Sequence, residues 1–170
     1  MKIRSLLVLT VLSLGFSAGS DANQAGQEHA QHAGVNSRGD TVMGFSHEKT
    51  THHFHLFSDG GSIEVTANDP ADVAQREQIQ AHLSHIARMF AEGNFQAPML
   101  VHDKVPPGSR VLQRLKAAVS YRFESLERGG RVRITTTNPE ALSAVHEFLR
   151  FQISDHQTGD SQQIASEPGK

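Results

Sequence analysis

The chain has no cysteine. That excludes disulfides and any lipid anchor on a terminal cysteine, so the fold must be held by its core alone. Charge of neither sign dominates. The 16 Lys and Arg are interspersed with 18 Asp and Glu, which argues against nucleic acid or an anionic membrane surface as a partner. No apolar run reaches the ~20 residues of a membrane span. Also missing are a cysteine nucleophile, a Gly-x-Ser-x-Gly elbow, a phosphate loop and a His-Glu-x-x-His helix. These absences favour a binding protein over an enzyme.

The first 22 residues carry Lys2 and Arg4, an apolar core from Leu6 to Phe16, and the small residues Ser17-Ala18-Gly19-Ser20-Asp21-Ala22. A charged start, a short apolar core and a small-residue stretch are the order of a secretory signal peptide. The chain is therefore expected to be exported to the periplasm or beyond, with cleavage between Ala18 and Ala22 and no membrane span afterwards. Residues 23–42, rich in Gln, Gly, Asn, His and Ala, have no hydrophobic period and read as a flexible arm containing His29 and His32. Residues 158–170 read as a flexible polar tail. One domain is expected over 43–157.

Within it lies an internal repeat. HHFHLFSDGGSIEVTANDP, from His52, aligns without a gap on YRFESLERGGRVRITTTNP, from Tyr121. Phe54 meets Phe123, Gly60-Gly61 meets Gly129-Gly130, Ile63 and Val65 meet Val132 and Ile134, and Pro70 meets Pro139. Each copy alternates apolar and polar residues on either side of Gly-Gly, the pattern of a β-hairpin. Asp69-Pro70 and Asn138-Pro139 then read as caps that open a helix. Ile79, Leu83, Ile86 and Phe90 form the apolar stripe of the first helix; Leu142, Val145, Leu149 and Ile153 form that of the second. Between the repeats, after Pro106-Pro107-Gly108, Val111, Leu112 and Leu115 suggest a short helix. The expected class is α+β: two β-β-α units, about 50–93 and 119–157, forming a four-stranded antiparallel sheet with helices on one face.

The strand period sorts the histidines of HEKTTHHFHLF. If Phe54 and Leu56 are buried, His52 turns inward with them while His53 and His55 turn outward. An outward His-x-His pair, with Glu64 on the adjoining strand and His47 as a possible third imidazole, is a candidate site for zinc or copper. A second metal candidate is His82, His85 and Met89 on one shoulder of the first helix. Arg122, Arg131 and Arg133 on the same open face suit an anionic ligand or a partner's carboxylates; pairing with neighbouring acids is the plainer use. Phe151 lies nearly opposite the apolar stripe of its helix. It is covered by the connector or the tail, or it faces a second copy in a homodimer or an envelope protein partner. His146 reads as a hydrogen-bonded core residue.

The stretches VMGFSHEKTTHHFHL, APMLVHDKVPPG, ERGGRVRITT and HEFLRFQISDHQTGD resemble a family of small, exported, uncharacterised bacterial proteins, over nearly all of 42–160. The resemblance implies export and a compact domain; it brings no catalytic residues. Some relatives carry the label aspartate carbamoyltransferase, which the residues here do not support. A carbamoyl-phosphate site needs a Ser-Thr-Arg-Thr type stretch at a helix start and a second domain for the amino acid. Ser109-Arg110 and Thr135-Thr136-Thr137 lack that arrangement.

Overall fold

The computed structural model describes residues 34–165, residue 36 excepted. The expected signal peptide, His29 and His32 lie outside the described residues. Strands β1 (Thr50–Phe57) and β2 (Gly60–Ala67) form the first hairpin, β3 (Val119–Leu126) and β4 (Gly129–Thr136) the second. They join in one antiparallel sheet of order β1-β2-β4-β3. Helices α1 (Val73–Ala91) and α4 (Pro139–His156) follow the hairpins, and the short α2 (Gln96–His102) and α3 (Ser109–Arg114) lie between the repeats. No helix among the described residues is long and apolar enough to cross a membrane.

The alternation of each strand decides which face is covered. Phe54, Leu56, Ile63, Val65, Val132 and Ile134 are buried on one side and meet both long helices there. Burying such side chains contributes about 1.5–3 kcal/mol each, which leaves the opposite polar alternation to the open face. Ile63 opposes Val132 in the central pair, flanked by Gly61↔Ile134 and Val65↔Gly130, so the repeats are related by a two-fold axis at that point. The helices cross over: α1 packs mainly on β3 and β4, whereas α4 packs on β1 and β2. Neither unit therefore encloses its own core. Phe90 of α1 meets Phe148 of α4 edge-to-face at 5.9 Å, and Phe95 stacks on Phe90 at 4.5 Å, closing the centre.

Three expectations need correction. Asn138 caps α4, accepting from Ala141 N–H with Pro139 at the first turn, but Asp69-Pro70 does not open α1. Asp69 accepts from Ala71 N–H in a turn, and Asp72 caps the helix through Gln75 N–H. The stretch read as an arm up to Val42 is helical over 37–43, with Val35 fully buried and Arg38 Nε donating to Val101 O at 2.8 Å. The described part of the tail is docked rather than loose. Ala165 N–H donates to Leu56 O at 2.9 Å, forming a parallel bridge beside β1.

Candidate functional site

The open face is organised in transverse rows by the strand register. His53, Glu64, Arg131 and Glu124 form one row; His55, Ser62, Arg133 and Arg122 form the next. In the first, Arg131 donates to Glu64 Oε2 at 2.8 and 3.0 Å, and Glu124 lies on its other side at 3.6 Å. Arg122 reaches Glu124 at 2.7 Å. Arg133 donates to Gly61 O, Ile134 O and Asp59, with its guanidinium 4.9 Å over the Phe57 ring. The three arginines are thus paired with neighbouring acids.

His53 and His55 do lie side by side on this face, rings 6.0 Å apart. Glu64 opposes His53 but is taken by Arg131. His47 is drawn elsewhere, its Nδ1 2.9 Å from Asp40 Oδ1 in the N-terminal helical segment. In the other predicted set, the His82 ring lies perpendicular to that of Phe45 at 5.5 Å, His85 is exposed and Met89 packs against the core. Among the described residues, no group of three or more His, Asp or Glu side chains is arranged to hold a metal ion. Phe151 is covered by the connector, with Lys104 Nζ 4.9 Å over its ring and His102 against its edge at 4.8 Å.

The inward side is chemically richer. Two adjoining cavities, together called the chamber, lie where β1, α4 and the N-terminal helical segment meet. Its outer part, about 220 Å³, is bordered by Gly39, Met43, His47, Thr50 and Thr158. An inner part, about 80 Å³, runs beneath the helices between Phe54, Ile63, Val65, His82, Leu83 and Gln152. Met43, His52 and His156 border both. The His52 and His156 rings lie nearly parallel, 5.7 Å apart.

Among the described residues, two buried wall groups have no hydrogen-bond partner: His52 Nε2 and Gln152 Nε2. Burial lowers the His52 pKa to about 4; the imidazoles of His82, His47 and His53 add to this, and Asp40 opposes it. His82 is also lowered to about 4, by burial and then by His85. Both rings are therefore neutral near pH 7 and act as hydrogen-bonding groups, not as cations.

Gln152 is held by a chain of polar contacts. Lys104 Nζ reaches Asp155 Oδ1 at 2.9 Å, Asp155 Oδ2 lies 2.5 Å from His102 Nδ1, and His102 Nε2 lies 2.9 Å from Gln152 Oε1. Burial alone would raise the Asp155 pKa, but hydrogen bonds from Lys104 and His102 hold it below the usual carboxylate range. Gln152 meets His102 with one end of its amide and borders the chamber with the other. Sequence reasoning missed His102, Asp155, Gln152 and His156 as a group. The available signal was Gln152 and His156 on the face of α4 next to Leu149 and Ile153, polar residues where the stripe should be apolar. His146 is buried as expected, its Nε2 2.9 Å from Phe57 O.

The arrangement can desolvate a small molecule, surround its body with apolar side chains and address one or two of its polar atoms. Comparison with protein-family models, curated proteins and solved structures gave no match for this chain.

Proposed function

We propose that this chain is an exported binding protein that takes a small, uncharged organic molecule into the chamber walled by His52, His156 and Gln152. The observation that carries the reading is that, among the described residues, His52 Nε2 and one end of the Gln152 amide have no hydrogen-bond partner, in the wall of a cavity whose inner part is lined mainly by apolar side chains. A buried polar group left unpaired costs about 1–3 kcal/mol, and a ligand carbonyl or hydroxyl offered to either group would recover that cost. The neutral state of His52 and His82 disfavours an anion, and the volumes suit a body of one or two rings. Export is supported by the charged start and short apolar core before Ser17.

Titration of ¹⁵N-labelled protein with acetophenone and phenol tests the binding. Saturable shifts at His52, Phe54 and Gln152 are expected, with about tenfold weaker binding in Gln152→Leu, equivalent to ~1.4 kcal/mol. Absence of saturation, or unchanged affinity in both Gln152→Leu and His52→Phe, would overturn it.

One observation favours a second reading, a transition metal such as zinc or copper on the open face. Asp160 Oδ1 lies 2.8 Å from His53 Nδ1, the carboxylate–imidazole contact that steadies a metal-binding ring and leaves Nε2 outward beside His55. Zinc and copper titrations of the wild type and of His53→Ala/His55→Ala test it. Equal affinity in the two proteins would remove the site.

A further inference from the structure

The internal duplication makes the two outer edges of the sheet equivalent, yet among the described residues only one is covered. In β1 the pair closing the two-residue turn, Phe57 and Gly60, fixes the hydrogen-bond alternation, so Phe54 and Leu56 direct their backbone groups away from β2. The chain after α4 takes them up. Asp160 Oδ2 accepts from Phe54 N–H at 2.8 Å, its Oδ1 contacts His53, and Ala165 N–H donates to Leu56 O.

Leu126 and Gly129 close the second turn in the same way, so Tyr121, Phe123 and Ser125 direct their N–H and C=O outward from β3, at the other edge of the sheet. The repeat places Arg122 and Phe123 where β1 has His53 and Phe54. An outward-directed amide next to a basic residue therefore occurs at both edges, once with an imidazole and once with a guanidinium that stays charged at any ordinary pH. The Arg122 side chain is 73 % exposed and contacts Glu124 through Nη2, which leaves other N–H groups of its fork to donate.

We propose that the β3 edge binds an extended, acid-bearing segment of a partner polypeptide by strand addition, with an Asp or Glu carboxylate held jointly by Arg122 and Phe123 N–H. The occupant of β1 supplies the pattern. It places an aspartate against the Phe54 amide and then bridges to Phe57 in the parallel sense. Backbone pairing to Tyr121, Phe123 and Ser125 supplies affinity, and the Arg122 contact selects for acid. This edge lies away from the chamber, so the proposal stands apart from the ligand assigned there.

The probe is a synthetic peptide with the sequence of residues 158–165, added to ¹⁵N-labelled protein and followed by amide shifts and hydrogen exchange. Saturable shifts and slowed exchange are expected at Tyr121, Phe123 and Ser125, in the wild type. At least tenfold weaker binding is expected both for the peptide with asparagine in place of its aspartate and for Arg122→Gln, whose exposed side chain is not needed for folding. Three results would overturn the proposal: shifts confined to β1, where the peptide would displace the protein's own tail; affinity indifferent to both charge removals; or β3 shifts that follow protein concentration without peptide, which would assign the edge to a second copy.

Discussion

His53 and Asp160 stand 107 residues apart in the chain and 2.8 Å apart in the fold. The same carboxylate accepts from Phe54 N–H and from Thr158 Oγ1, so one side chain fastens the C-terminal segment along the edge of β1. Covering an edge strand removes a row of unpaired backbone groups that would otherwise recruit another chain.

Removing that carboxylate should loosen the segment. Asp160→Asn is expected to cost about 1–2 kcal/mol, through loss of charge-assisted bonds to partly buried partners. The loss should appear as a lower urea midpoint with unchanged slope, and as faster hydrogen exchange at Phe54 and Ala165. Burial alone would raise the Asp160 pKa, but the Phe54 amide, His53 and Thr158 hold it below the ordinary value of 3.8. A depressed carboxylate contributes stability above its unfolded pKa and loses it as pH falls through the folded one. The tail should therefore stay docked at pH 5 and release only below about 3.8.

Stability should nevertheless begin to fall at milder acidity, because of the chamber. His52 and His82 have folded pKa values near 4 against 6.5 in the unfolded chain, so from about pH 6.5 downwards the unfolded state binds protons that the native state refuses. The effect arises at both from burial, then at His52 from the imidazoles of His82, His47 and His53, with Asp40 acting the other way, and at His82 from His85. The urea midpoint at pH 5 should lie below that at pH 7. The difference should shrink in His82→Leu, and equal slopes for the two proteins would contradict the assignment.

The repeat equates Gly61 with Gly130, but their surroundings differ. A methyl on Gly61 would lie 2.4 Å from His55 O and 2.2 Å from Leu149 Cδ1; on Gly130 its nearest neighbours would be side-chain atoms, Phe123 Cε2 at 2.7 Å and Leu83 Cδ1 at 3.2 Å. A backbone oxygen in a paired strand has no room to retreat, whereas a ring or a leucine can repack. Gly61→Ala is expected to cost about 2–4 kcal/mol and Gly130→Ala about 1–2 kcal/mol, within the usual range for overpacking. Equilibrium unfolding of the two variants checks the order.

Much of the sheet was legible because period-two alternation and the paired Gly-Gly turns specify register and face together, and the repeat supplies each twice. The inward turn of His52 follows from that alternation; its lack of a partner does not, since this depends on what α4 brings from 100 residues away. Helix α2 escaped notice because seven residues are too few for an apolar period to show. His102, at its end, therefore has no periodic pattern around it to place it against α4. The docking of Asp160 and Ala165 was invisible for a related reason: it uses backbone groups and one carboxylate, which leave no hydrophobic pattern in the sequence.

The start of α1 shows how the repeat misled. Its copies keep a constant spacing through the strands, but five residues separate β2 from α1 and two separate β4 from α4, so Pro70 falls in a turn while Pro139 opens a helix. Of the two aspartates, Asp72 accepts from an amide of the first turn of α1, at 2.9 Å from Gln75 N, whereas Asp69 serves the preceding turn at Ala71 N. Asp72→Ala should therefore cost about 1 kcal/mol, as Asn138→Ala should for α4, whereas Asp69→Ala should cost a few tenths. Hydrogen exchange separates the two aspartates more sharply than global stability does. Faster exchange at Gln75 N–H is expected for Asp72→Ala and not for Asp69→Ala; the reverse order would restore Asp69 as the cap.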